Sequence, residues 1–376
     1  MAGLRVVIAG GGTGGHLYPG IAVAREILRR VPGAAVTFAG TNRGLEARVV
    51  PREGFELDVI RSAGLKGKSL TSRLRGAALL PLGGLDAWRI LSRRRPHVVI
   101  GVGGYSSGPV VLLASLRGIA TMVLEQNAVP GLTNRLLARR VKAAAVTYDS
   151  TLSYFGGRGF VAGNPVRAEF FAARETSNFE VRTSKFDRLL VLGGSQGAHA
   201  INVAMVAAAP RFARAGLDLV HQTGTRDLEF VRDGYARAGL AARAEPFVDL
   251  VAGEMKSADV VISRAGATTL AELAASGKPA VLVPFPAATD DHQRKNARVL
   301  ADAGAAVLLD QRELTGDTLA ATVEGLLGDA VRLQAMARAM KQFARPDAAK
   351  VIVDRVIALS QIAEGADDAG RAQRGR

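Results

Sequence analysis

The sequence predicts an α/β protein built as two parallel-sheet domains. Three observations predict it. Short apolar runs without polar alternation, at 5–9, 35–39, 98–102 and 121–124, alternate with segments of helical period, the pattern of strands buried on both faces by crossover helices. A strand, a glycine-rich turn and a helix open the chain at 4–20 and recur at 188–198. A chain of 376 residues, 48% apolar, is long for one domain and comfortable for two.

In chain order, the first half offers strands at 5–9, 35–39, 57–60, 98–102, 121–124, 143–147 and 159–161, with helices near 20–31 and 43–53. Gly163-Asn164-Pro165-Val166-Arg167 reads as a hinge, and the polar stretch 172–186 as a loop. The pattern then restarts with strands at 188–192, 218–222, 244–247, 260–263 and 279–284, and helices near 330–344 and 347–363. The expected division is a first domain at 1–163, a second at 164–345, a closing helix at 346–363 and a disordered tail at 364–376.

The first turn runs Gly10, Gly11, Gly12, Thr13, Gly14, Gly15, His16. Gly10, Gly12 and Gly15 satisfy the dinucleotide spacing, but that site needs an acid at the end of the second strand, which here ends Gly40-Thr41-Asn42. The turn instead offers unpaired N–H groups at a helix start to anionic or hydroxyl-rich ligands, with the His16 imidazole at its mouth as a proton acceptor. Ligands of parallel sheets lie beyond the carboxyl ends of the strands, so the loops 10–16, 103–107 and 125–127 should meet in space.

In the second half, the turn 193–197 places Ser195 at a helix N-terminus suited to a diphosphate; no Gly-Lys-Ser/Thr follows, so it is not a P-loop. Gly266, Ala267, Thr268 and Thr269 make a second such start. Glu272, one turn on, is placed either to accept the hydroxyls of a ribose or to complement the helix dipole. Gln293 and Asn296 leave a buried strand and suit sugar hydroxyls or solvent. Asp290 and Asp291 lack a spaced acid partner, and no metal requirement is expected.

The chain has no cysteine, so disulfides and thiolate metal sites are excluded, and no signal peptide is expected. Residues 98–116 are uncharged, but Gly101, Gly103, Gly104, Gly108 and Pro109 interrupt them, so a membrane span is not expected there. The formal charge of +15 calls for an anionic partner or surface. With 5% aromatic residues and no nucleic-acid-binding signature, nucleic acid is not expected. Between 61 and 96, nine basic residues stand against one acid, Asp86, and are interleaved with Leu79, Leu80, Leu82, Leu85, Trp88, Ile90 and Leu91. That composition suits an anionic bilayer surface or an amphipathic helix with a solvated basic face.

Taken together, the segments 11–16, 103–109, 125–131, 163–167, 193–198, 264–272 and Pro284-Phe285 followed by Gln293 and Asn296 resemble the MurG family of glycosyltransferases, over about residues 4–360. Leu124 departs from the family, which often has histidine there. The resemblance implies the GT-B architecture, two Rossmann-like domains facing a deep cleft, with the last helix returning to the first domain. It implies transfer of GlcNAc from UDP-GlcNAc to the 4-hydroxyl of MurNAc in lipid I, with inversion, giving lipid II for peptidoglycan, without a cofactor. Carried onto this chain, Ser195, Ala267, Thr268 and Thr269 would face the donor diphosphate, Phe247 and Val248 would border the uracil, Glu272 the ribose and Gln293 the GlcNAc hydroxyls. Arg167 would lie on the nucleotide side, while Thr13, Gly14, Gly15 and Asn127 would close over the sugar. His16 would be the general base, with Glu125 and Tyr105 as orienters or alternative bases. A lipid-linked acceptor implies a peripheral protein on the cytoplasmic face of an anionic membrane. The rival is another GT-B transferase with a different nucleotide sugar or acceptor.

Overall fold

The computed structural model describes residues 3–62, 80–171, 187–194 and 197–374, with the backbone alone at 80, 289 and 362–374. The chain divides into two compact units, 1–166 with 345–376, and 167–344. The divisions therefore fall at Val166/Arg167 and Ala344/Arg345 rather than at 163/164 and 345/346. Residues 163–166 stay with unit 1 because Gly163 donates to Val146 and Asn164 is buried there.

Unit 1 holds seven parallel strands: β1 Arg5–Gly10, β2 Ala35–Gly40, β3 Glu56–Val59, β4 Val98–Gly103, β5 Ala120–Glu125, β6 Ala143–Val146 and β7 Gly159–Val161. Their order is β3-β2-β1-β4-β5-β6-β7, so the winding reverses between β1 and β4. Alternate residues of β1 serve opposite cores. Val6 and Ile8 pack with Leu17, Ile21 and Ile27 of the Gly14–Arg30 helix and with Ile352, Val353 and Val356 of the last helix. Val7 and Ala9 pack on the other face with Ile90, Leu91 and Val111. Both faces are thus dry, which explains the unbroken apolar strands. The β1–β4 register slips between Ala9 and Gly10, so that Gly10 pairs with Gly103 where both strands end.

Unit 2 repeats the plan with β8 Arg188–Leu192, β9 Asp218–Gln222, β10 Ala242–Glu245, β11 Val260–Ser263, β12 Ala280–Leu282 and β13 Ala306–Leu308, in the order β10-β9-β8-β11-β12-β13. The His199–Ala215 helix follows β8 and buries Ile201, Met205 and Phe212 against Val260 and Ile262. Three-residue β13 escapes sequence reading, since a run that short carries no period.

The last helix runs Ala348–Arg374, and its backbone passes through the stretch expected as a tail. Its buried face packs within unit 1, and Arg30 pairs with Asp354 at 2.6 Å. Ile352 is 1% exposed, so Ile352→Ala should lower stability by about 2–5 kcal/mol. Urea denaturation with an unchanged slope is the measurement; a midpoint equal to wild type would contradict this packing.

Candidate active site

In unit 1, the loops at the ends of β1, β4 and β5 meet as expected. Gly11 N–H donates to Gly103 at 3.4 Å, and the Gln126 side chain donates to Val102 O at 3.2 Å. His16 is half-buried in the first turn of its helix; its Nδ1 is hydrogen-bonded to Thr13 Oγ1 at 3.2 Å. The ring lies on the backbone of Gly103, where a Cβ would stand 2.7 Å from His16 Cδ2. Tyr105 is 49% exposed in the same loop.

The anion-binding groups of this turn are not vacant. Glu46, 1% exposed, accepts from Gly12 N at 2.7 Å through one oxygen. Through the other it accepts from Thr41 N at 2.9 Å and Thr41 Oγ1 at 2.8 Å. Burial opposes its ionisation, but these bonds outweigh burial and hold the carboxyl below its usual range. A dinucleotide would have to place its pyrophosphate against this fixed negative charge, a second physical reason against that reading.

Glu125 at the end of β5 is 3% exposed, and both its oxygens turn into its own loop. One accepts from Asn127 N at 3.0 Å and Asn127 Nδ2 at 3.1 Å. The other accepts from Gly131 N at 3.0 Å and Asn134 Nδ2 at 2.9 Å. Burial still dominates and raises its pKa. Asn127 is therefore positioned by Glu125.

In unit 2, Ser195 lies outside the described residues. The flanks of its turn are held by β9: Gly193 N donates to Gln222 O at 3.1 Å, and a Cβ on Gly197, whose φ is +74°, would strike Thr223 O. Val248 N donates to Gln222 Oε1 at 3.1 Å, so one residue ties the turn after β8 to the 247–248 segment. Val248 is buried, while the Phe247 ring is 53% exposed beside it. Behind lies a closed polar network. His221 Nε2 donates to Asn202 Oδ1 at 3.0 Å, which leaves Nδ1 to accept from Tyr235 at 2.6 Å. Burial pushes His221 down to about 3, so it stays neutral, as this tautomer requires.

Ala267, Thr268 and Thr269 form the first turn of the Ala267–Ser276 helix. Gly266 has an ordinary φ of −69°, and a Cβ there would meet nothing closer than 3.9 Å, so neither strain nor crowding requires the glycine. Its missing side chain leaves the helix start open. Glu272 is pushed up to about 7 by burial, with Arg167 acting to lower it and Glu169 to raise it. Arg167 itself pairs with Glu169 at 3.0 Å. Arg264 donates to Val283 O and Pro284 O at 3.1 and 3.2 Å and stacks on Phe285. Gln293 Oε1 accepts from Phe285 N at 2.9 Å. Asn296 is fully buried inside the His292–Asp302 helix, not in a loop, and donates to Ala265 O at 3.5 Å, so it ties that helix to the loop after β11 rather than standing ready for sugar hydroxyls. Among the described residues no cluster of three or more histidines and acids could hold a metal ion.

Sequence reasoning missed Glu46, Asn134 and Gln222. Each lies inside a helix or strand, where a polar residue reads as a solvated face, and only tertiary pairing shows its use. For Glu46 one signal existed: a carboxylate shortly after Gly40-Thr41, where free N–H groups are expected.

Comparison with known proteins agrees with this geometry. Residues 6–146 match the glycosyltransferase family 28 N-terminal domain, and residues 188–352 match the family 28 C-terminal domain. A protein of Anaeromyxobacter sp. (strain K) named UDP-N-acetylglucosamine–N-acetylmuramyl-(pentapeptide) pyrophosphoryl-undecaprenol N-acetylglucosamine transferase is 48% identical over 357 residues, covering 93% of this chain and 92% of that protein. One of the same name from Myxococcus xanthus is 46% identical over 359 residues, covering 95% and 93%. The crystal structure of Acinetobacter baumannii MurG superposes with a TM-score of 0.78 at 30% identity, covering 94% of this chain and 99% of that one. Both domain matches, and identities this high over nearly the whole length, establish that the chain belongs to glycosyltransferase family 28 and, within it, to the MurG family.

Proposed function

We infer that the chain transfers GlcNAc from UDP-GlcNAc to the 4-hydroxyl of MurNAc in lipid I, forming lipid II with inversion. The observation that carries this is near-complete coverage by relatives bearing that activity in their names, joined to a unit 2 whose loops suit a nucleoside diphosphate. Unit 2 binds the donor: the open helix start at 266–269 and the turn with Ser195 take the diphosphate, Phe247 and Val248 the uracil, and Glu272 the ribose. Gln293, whose carbonyl is engaged by Phe285, keeps its amide N–H groups for GlcNAc oxygens. Arg167, beside Glu272, favours the ionised carboxylate that ribose hydroxyls need.

Inversion needs one base and stabilisation of departing UDP. His16 takes the proton from the acceptor hydroxyl as the hydroxyl oxygen attacks the anomeric carbon and the bond to UDP breaks. Helix N–H groups accept the charge on UDP, so no metal is required. Thr13, Gly14, Gly15 and Asn127 contact the transferred sugar; Glu125 acts by holding Asn127, and Tyr105 lies exposed to orient the acceptor.

The acceptor lipid places the protein on the cytoplasmic face of an anionic membrane, without nucleic acid as a partner. No helix among the described residues is long and apolar enough to cross a membrane. Leu82, Leu85 and Trp88 are exposed along the Leu80–Arg94 helix, and Leu112 and Leu116 on the Ser107–Leu116 helix packed against it. Arg117 stacks on Trp88 at 4.6 Å. The face is narrower than the sequence suggests. Ile90 and Leu91 are core, while Arg61 binds Asp86, Arg93 binds Asp58, and Arg94 binds both Asp58 and Glu56. Leu79 and the basic residues from 63 to 79 lie outside the described residues.

UDP release from UDP-GlcNAc and a short-chain lipid I analogue should proceed in excess EDTA. His16→Ala should cut kcat by about 10²–10⁴ with UDP-GlcNAc binding kept. Activity of wild type only with another donor or acceptor would sink this reading. Because Glu272 titrates near 7 and must be ionised to accept two hydroxyls, UDP-GlcNAc affinity should rise about tenfold from pH 6 to pH 8. Calorimetry checks this, and Glu272→Gln should bind weakly at both values. Leu85→Glu with Trp88→Glu should abolish sedimentation with anionic liposomes while leaving turnover of a soluble acceptor unchanged.

A further inference from the structure

We propose that Glu46 is a positioning residue of the transfer reaction, fixing through its carboxylate the glycine turn that carries His16. The inference rests on the reading of His16 as the base. Four layers stack without intervening side chains. The Glu46 carboxyl lies under Gly11, where a Cβ would come within 2.6 Å of its carboxyl carbon. Gly11 lies on Gly104, where a Cβ would come within 2.6 Å of Gly11 O. The adjoining Gly103 lies against the His16 ring. A shift of the first layer therefore carries to the last.

The hydrogen bonds show which tether dominates. Gly12 N to Glu46 is short, at 2.7 Å, and charge-assisted; Gly11 N to Gly103 O is long, at 3.4 Å, and neutral. Gly10 and Gly11 are buried, but Gly12 and Thr13 are exposed, so neighbouring core does not hold the end of the turn next to His16. Three successive glycines, with φ of +142°, +145° and +85°, leave it pliable unless a side chain from elsewhere clamps it. Glu46 is that clamp, and Thr41 fixes its other oxygen.

The chemistry predicts a specific defect. Glu46→Gln keeps volume, but its NH₂ must face a donor, either Gly12 N–H or the Thr41 pair, so one side of the clamp opens. We expect kcat to fall about 10–100-fold, the scale of a misplaced reacting group, while the KM for UDP-GlcNAc rises only about 2–3-fold through looser contact of Thr13, Gly14 and Gly15 with the sugar. Thr41→Val, which removes one hydroxyl donor, should give a smaller loss in the same direction. Hydrogen–deuterium exchange without substrate should quicken at amides 11–16 and stay unchanged in unit 2. Unchanged kcat, or unchanged exchange at 11–16, overturns the proposal. A parallel loss of UDP-GlcNAc binding and of thermal stability also overturns it, because that marks a general folding role. Wild-type inactivity with UDP-GlcNAc and the lipid I analogue would sink the transfer reading instead, while the exchange result still judges the clamp.

Discussion

A parallel sheet with both faces covered leaves its chemistry to the carboxyl ends of its strands, where each turn exposes backbone N–H groups that need acceptors. That need organises both units. After β1 the turn folds back on the end of β4 and takes a carboxylate, Glu46, from the next crossover. After β8 the turn leans on β9, whose Gln222 and Thr223 set Gly193 and Gly197. After β11 a Cβ on Gly266 would meet nothing closer than Thr269 Oγ1 at 3.9 Å. The first turn thus takes a carboxylate from the chain itself, and the third does not.

Three glutamates at these ends show how burial and hydrogen bonding trade off. Glu46 receives two N–H groups and a hydroxyl, and they outweigh burial, leaving a fixed anion. Glu125 receives four donors, yet its deeper desolvation wins and the pKa rises. Glu272 has desolvation opposed mainly by the field of Arg167, and reaches about 7. The first two engage both oxygens, Glu46 across two strand ends and Glu125 on the segment that follows it, and act by holding backbone. Glu272 is set near neutrality, where any hydrogen-bond donor brought beside it favours the ionised form. The arrangement of these partners, more than the residue type, divides the roles.

Much of the fold was legible because its strands are buried on both sides and read as unbroken apolar runs, and because glycine turns of positive φ mark where they end. The meeting of the loops at 10–16, 103–107 and 125–127 followed from the topology rule alone. What was not legible depends on pairing across long sequence separations. Arg93 and Arg94 read as a free basic rim because their acids, Glu56 and Asp58, lie upstream of the charged window. Asn296 read as facing sugar hydroxyls or solvent because an asparagine beyond a strand end gives no sign that a helix will bury it.

The same limit explains Glu46. A ribose-binding acid must end its strand, and the second strand ends Gly40-Thr41-Asn42, with none. The acid is there, a few residues on, but turned inward. Its oxygens meet Gly12 and Thr41, donors that belong to two different strand ends. An acid facing out would have bound a hydroxyl-bearing cofactor; facing in, it replaces the anion such a cofactor would bring. The glycine spacing of a dinucleotide site thereby becomes a rigid support for His16, and the physical difference is the direction of one carboxylate.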